Sequence, residues 1–151
     1  MSWLSEKEIV RLIRRHADPI TLEGFQGVFP MDELPFAVGK YPFFMIVNTQ
    51  AHNLPGEHWI AVFIGKDKRG EIFDSFAMPP SNTLIRWMNQ FTRTFTSSRT
   101  AYQHPLSATC GAYVLYYILH RLRDPQCMTH YFSASIPNNE KRVLSFYHSL
   151  K

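Results

Sequence analysis

Cysteine is scarce in this sequence: Cys110 and Cys127 are the only two among 151 residues. That is too few for a disulfide framework, and no second pair stands at the spacing of a structural zinc site. The seven histidines include no His-x-x-x-His pair, and nothing else clusters ligands, so no metal centre is expected. No apolar run approaches the roughly 18 to 20 residues of a membrane-spanning helix. The opening residues, Met1-Ser2-Trp3-Leu4-Ser5-Glu6, lack the basic-then-apolar layout of a secretory leader. Repeats, low-complexity tracts and linkers are also missing. These absences lead to the expectation of one soluble, intracellular domain spanning residues 1–151, with no membrane contact.

What is present suits a packed core. Hydrophobic residues make up 45% and charged residues 19%, a globular balance rather than a disordered one. Aromatics reach 15%, with twelve Phe and seven Tyr. The net charge of +4 and isoelectric point near 9.2 pull only weakly toward acidic partners. The densest basic cluster, Arg11, Arg14 and Arg15, lies on an expected helix and is read first as a solvated face.

The patterning predicts an α+β fold. A helix starts at a Ser2 or Ser5 cap and carries Leu4, Ile9, Leu12 and Ile13 at helical spacing through His16, closed by Asp18-Pro19. Thr21 to Lys40, with three glycines and two prolines, reads as loops. Short apolar runs at Phe43–Val47, Trp59–Ile64 and Glu71–Phe76 read as strands, the last two forming a hairpin through the polar turn Gly65 to Gly70. Asn82 to Phe95 and Asn139 to Leu150 read as helices. Cys110 to His120 is apolar nearly all round, the mark of a buried central helix.

One constellation carries chemistry. A thiol attacks a carbonyl as thiolate, and at an ordinary pKa of about 8.5 only a few per cent is ionised at pH 7. An imidazole, a group orienting it, and the positive end of a helix all raise that fraction. Cys110 falls at the expected start of the central helix, and Gly111 beside it leaves room for a substrate backbone. His58 stands at the entry to the second strand, after the turn-like Asn53-Leu54-Pro55-Gly56. Asp74 lies near the end of the third strand. If the two strands pair, their outer ends meet and Asp74 reaches His58. Gln103, seven residues before Cys110, can bring its amide to a developing oxyanion together with the Cys110 N–H. Taken singly, each residue has an ordinary structural reading, such as a strand-end His, a turn Asp or a surface Gln. The order and linkage of all four point to a thiol hydrolase.

That order, His58-Trp59, then Asp74, Gln103 and Cys110-Gly111, resembles the cysteine proteases that include the adenovirus protease (adenain). More distantly it resembles the ubiquitin-like-protein-specific proteases. Ile46-Val47-Asn48-Thr49 is similar to the family's segment leading to the catalytic His. Phe73-Asp74-Ser75-Phe76 is similar to its Phe-Glu-Pro-Phe, with Asp one methylene shorter than Glu. The Gln103–Cys110 interval, Leu119-His120, and Asn139-Glu140 through Leu144-Ser145-Phe146 also agree. The resemblance runs from about residue 20 to the C-terminus and implies a permuted papain-like fold with the nucleophile on the central helix. It implies Cys110 as nucleophile, His58 as proton carrier, Asp74 as its orienting acid and Gln103 as oxyanion donor. Trp59, with Gly111, would line a narrow cleft for Gly-containing substrates.

The resemblance further implies a monomeric endopeptidase cleaving viral capsid or core precursors during virion maturation, in the virion and host-cell interior. No cysteine clearly matches the family's peptide-linking one, and Cys127 follows the central helix. Nothing in the sequence requires a cofactor, which leaves activation by DNA, through weak contact with the basic face, or by a peptide as an open expectation. Two alternatives stand beside this reading. One is an isopeptidase removing ubiquitin-like modifiers, and the other a basic binding domain that keeps the fold without catalysis.

Overall fold

The computed structural model describes residues 4–49 and 58–151. The expected turn at Asn53-Leu54-Pro55-Gly56, and Ser2 as a helix cap, lie outside the described residues.

Helix α1 (Glu6–His16) starts where Ser5 Oγ accepts the Glu8 N–H at 3.1 Å. Glu6 and Glu8 sit in its first turn and Arg14, Arg15 and His16 in its last, each matched in sign to the helix dipole. Ile9, Leu12 and Ile13 are fully buried. Arg11, Arg14 and Arg15 are exposed.

The segment from Thr21, expected as loops, instead contributes a helix and a strand. Asp18-Pro19 both ends α1 and begins α2 (Pro19–Gly24), because Asp18 caps the Thr21 N–H at 2.9 Å and Pro19 takes the first turn, where no N–H is needed. A six-residue helix is too short for a 3.6-residue period to show in sequence. Strand β1 (Phe25–Pro30) follows, with Gly27 at φ +114° where its register with β2 shifts between Phe25 and Val28. Its glycine and proline, read as loop signals, belong to a bulged edge strand.

The sheet runs β1-β2-β3-β4-β5, with β2 (Phe43–Asn48), β3 (Trp59–Ile64), β4 (Arg69–Phe73) and β5 (Thr94–Ser97). The central pairs β2–β3 and β3–β4 are antiparallel, while β1–β2 and β4–β5 are parallel. The expected hairpin is present, turning where the Lys68 N–H donates to Gly65 O at 2.9 Å. Its second strand starts and ends earlier than expected, at Phe73. Helix α3 (Asn82–Phe91) also stops short of Phe95: Thr92 is extended, and the β-branched run that follows adds strand β5 to the sheet edge.

Strands β2 and β3 are buried on both faces, which explains their continuous apolar runs. On one face Phe43, Met45, Val47, Ile60 and Val62 pack with Leu84, Trp87 and Met88 of α3. On the other, Phe44, Ile46, Trp59, Ala61 and Phe63 pack in one cluster with Leu12 and Ile13 of α1 and with α4 (Cys110–His120). Every residue of α4 from Cys110 to Leu119 is buried. The short α5 (Cys127–Tyr131) was not legible in sequence. Helix α6 (Ile136–Ser149) begins three residues before the expected Asn139, with Pro137 in its first turn. Helix α1 is tied to α6 by the Tyr147 hydroxyl donating to Glu8 Oε1 at 3.0 Å and by His16 Nε2 with Leu150 O at 2.8 Å. No described helix is long and apolar enough to cross a membrane.

Candidate active site

The β3–β4 ladder ends with Ala61 opposite Phe73, and the chain then turns so that Phe76 comes against His58. The two rings stack there, centroids 4.5 Å apart at 26°. Asp74, just past the end of β4, folds back in a tight turn. Its Oδ1 accepts the Phe76 N–H at 2.8 Å, its carbonyl accepts the Ala77 N–H at 2.9 Å, and Ala77 takes a left-handed φ of 54°. The same Oδ1 meets His58 Nε2 at 2.6 Å. The Asp74 N–H donates to Ser98 Oγ at 3.0 Å, anchoring the turn to the segment after β5.

This leaves His58 Nδ1 as the nitrogen available to the thiol of Cys110. Nδ1 is buried and makes no standing hydrogen bond of full geometry among the described residues. Burial depresses the His58 pKa, but the hydrogen bond to the Asp74 carboxylate, with the charges of Asp74 and Cys110, outweighs it and carries the imidazole up to about 9. Cys110 is 1% exposed, the first residue of α4. Cys127 provides the contrast. Burial, countered by the nearby Arg121, pushes its thiol up to about 12, the condition of an inert structural cysteine.

Gln103 is 1% exposed. Its backbone N–H and that of Tyr102 both donate to Ser75 O, at 3.1 and 2.9 Å, and its Oε1 accepts from the Ser75 hydroxyl at 2.5 Å. The residue after Asp74 therefore holds the residue expected at the oxyanion. The Gln103 Nε2 donors go to Ser107 O at 3.0 Å and Ser107 Oγ at 3.1 Å, within the loop that leads to Cys110. Trp59 is buried in the same cluster as Cys110, and its Nε1 has no partner among the described residues. Gly111 is buried at the second position of α4.

The structure thus brings His58, Asp74 and Cys110 together and sets Gln103 one loop away, with its amide on Ser107. Sequence reasoning missed the polar residues between them, Ser75, Ser107, Thr109 and Glu140. The Ser107 and Thr109 hydroxyls lie 2.6 Å apart, and Thr109 Oγ1 donates to Glu140 Oε2 at 2.7 Å. Serine and threonine before a helix read as ordinary caps, and nothing in the spacing pairs Thr109 with a glutamate 31 residues on. No group of three or more His, Cys, Asp or Glu suited to a metal occurs among the described residues.

The chain as a whole has recognisable relatives among known proteins. No family model matches the chain. It is similar to the cysteine protease of African swine fever virus. In a tick isolate from Malawi the identity is 33% over 129 residues, covering 72% of this chain and 46% of the viral protein. In a pig isolate from Kenya the corresponding protein is named a SUMO-1 cysteine protease, 32% identical over 133 residues, with 75% and 48% covered. The chain spans about half the length of these relatives. Among solved structures, the African swine fever virus protease superposes with a TM-score of 0.55 at 23% identity, over 80% of this chain and 58% of that one. ChlaDub1 from Chlamydia trachomatis gives 0.54 at 16% identity, over 72% and 59%. The likeness to adenain-like viral cysteine proteases is therefore borne out, and with it the α+β fold whose central helix starts at Cys110.

Proposed function

We propose that this chain is a cysteine endopeptidase in which Cys110, His58 and Asp74 act as nucleophile, proton carrier and orienting acid. The observation that carries the reading is the 2.6 Å contact of His58 Nε2 with Asp74, which leaves the buried Nδ1 free for the proton of Cys110, the first residue of α4. Cys110 gives its thiol proton to His58 Nδ1, and the thiolate sulfur attacks the scissile carbonyl carbon, forming a C–S bond while the carbonyl oxygen takes up negative charge. The Cys110 N–H donates to that oxyanion, and the Gln103 amide joins it, giving up Ser107 O for the stronger acceptor while keeping Ser107 Oγ. His58 as imidazolium then gives its proton to the departing amine as the C–N bond breaks. Water, deprotonated by His58, hydrolyses the thioester and restores the thiol.

On this reading the substrates are viral capsid or core precursor proteins, cut at Gly-containing sites admitted by a cleft at Trp59 and Gly111. The similarity to viral proteases supports it. The protein would act as a monomer inside the virion and host cell, with weak DNA contact through the exposed Arg11, Arg14 and Arg15. A second reading rests on the name of the Kenyan relative: the same site would remove a ubiquitin-like modifier. Gly-Gly-X peptides and a ubiquitin-like fusion, each incubated with wild type and with Cys110→Ala, separate the two. Peptide cleavage by wild type supports the endopeptidase, and cleavage of the fusion alone supports the isopeptidase. Turnover retained by Cys110→Ala overturns both.

A further inference from the structure

Helix α4 starts without the cap its sequence offers. Ser5, Asp18 and Ser81 each turn a side-chain oxygen onto the first-turn N–H groups of α1, α2 and α3. Thr109 stands before Cys110, yet its side chain makes no capping bond, as Ser135 makes none before α6. The Thr109 backbone, at φ −97° and ψ 9°, is not extended like those three caps. Its hydroxyl is engaged instead on α6, where Glu140 offers two carboxylate oxygens. Oε2 accepts from the Thr109 hydroxyl at 2.7 Å, and Oε1 accepts the His104 N–H at 3.2 Å.

A carboxylate only accepts, so its bond fixes the direction of every bond behind it. Thr109 gives its proton to Glu140 and must accept from Ser107, whose hydroxyl lies 2.6 Å away. Ser107 Oγ, having donated, accepts from Gln103 Nε2 at 3.1 Å. Glu140 therefore terminates a directed chain that begins at the Gln103 amide. It also grips both ends of the loop carrying the two expected oxyanion donors, next to Gln103 at His104 and next to Cys110 at Thr109.

We infer that Glu140 is a positioning residue for this site. It draws Thr109 off the start of α4, so that the Gly111 N–H, which a capping side chain can take, stays open to an anion, and it orients the Gln103 amide through Ser107. The inference rests on the cysteine-protease reading and acts through the Gln103 amide and the open start of α4. Without Glu140, the Thr109 oxygen is free to cap α4 as serine and threonine ordinarily do, and the positive end of the helix is spent on a hydroxyl.

The test uses Glu140→Ala, Glu140→Gln and Thr109→Val in the full chain. It reads kcat and KM on a Gly-containing peptide, together with iodoacetamide alkylation of Cys110 against pH by mass spectrometry. Cys127 is the internal control. Glu140→Ala is expected to lower kcat roughly tenfold to a hundredfold, the worth of one hydrogen bond to a charged group. KM should stay nearly constant, and the Cys110 alkylation profile should move to higher pH. Glu140→Gln keeps an acceptor and should recover part of the loss, and it carries the test if the alanine variant fails to fold. In a Thr109→Val background, where no hydroxyl can return to cap the helix, Glu140→Ala should cost much less than it does alone. A folded Glu140 variant with wild-type kcat and alkylation profile overturns the inference, as does full additivity with Thr109→Val. Unselective labelling of both cysteines in wild type instead overturns the protease reading, and this inference with it.

Discussion

His58 and Asp74 meet edge to edge at 2.6 Å, across the open end of a hairpin whose turn lies at Gly65 to Lys68. The contact exists because the imidazole is clamped in two directions. Asp74 holds its Nε2 and Phe76, two residues further on, stacks on its face. The acid is itself held by the Phe76 N–H, so one turn of chain supplies both clamps.

Asp74→Asn preserves the shape of that turn and removes its charge. The expected outcome is a fall in the His58 pKa from about 9 toward the ordinary imidazole value, followed by NMR titration of the ring. Turnover should drop by roughly 100-fold or more, because the carboxylate no longer stabilises the imidazolium. An unchanged His58 titration would remove Asp74 from its orienting role.

The same group links stability to pH. His58 titrates near 6.5 in the unfolded chain and about 9 in the fold, so the native state binds the proton more tightly. The stabilisation is fully present below about pH 6.5 and is lost as pH rises through 9. Thermal melts between pH 6 and 9.5 should show a decline that is absent from His58→Gln. The imidazolium needed by the leaving amine should likewise persist until pH approaches 9, setting the alkaline limb of activity. A melting temperature equally flat in both proteins would contradict this linkage.

Gln103→Ala should lower kcat more than it raises KM, since its amide is called on as the oxyanion forms. It should also cost about 1–3 kcal/mol of stability, because the buried Ser75 hydroxyl loses its acceptor. Steady-state kinetics beside chemical denaturation separates the two effects. An unaltered kcat would leave Gln103 as a purely structural link between the Asp74 turn and the Cys110 loop.

At the far end of α4, Arg121 Nε and Nη2 grip the two Glu71 oxygens at 2.8 and 2.6 Å, and the Tyr117 hydroxyl donates to the same carboxylate. Arg121 also lies 4.4 Å over the Phe63 ring. Glu71→Ala strands a largely buried cation and a buried phenol. Glu71 is itself one-third exposed, which lowers the cost to about 2 kcal/mol. A urea midpoint shift with unchanged turnover is expected, and an unchanged midpoint would show that solvent replaces the pair.

Much of this protein was already determined by its sequence. Helices α1 and α3 declared themselves because one buried face demands apolar residues at fixed intervals, and α4 with strands β2 and β3 because burial on every side demands an unbroken apolar run. The approach of His58 to Asp74 was legible too, since a hairpin leaves little choice about which strand ends meet. Tertiary structure alone decided the rest. Helix α2, the bulged β1 and strand β5 are short pieces held by neighbours rather than by their own pattern, so their glycines, prolines and threonines read as loop or as more helix. The capping state of α4 could not be read either. Thr109 has the local chemistry of a cap, but in the fold its hydroxyl donates to a carboxylate brought in from α6. Local patterning records what a residue can do for its neighbours in sequence, while a hydrogen-bond acceptor 31 residues away competes for it only once the chain has folded.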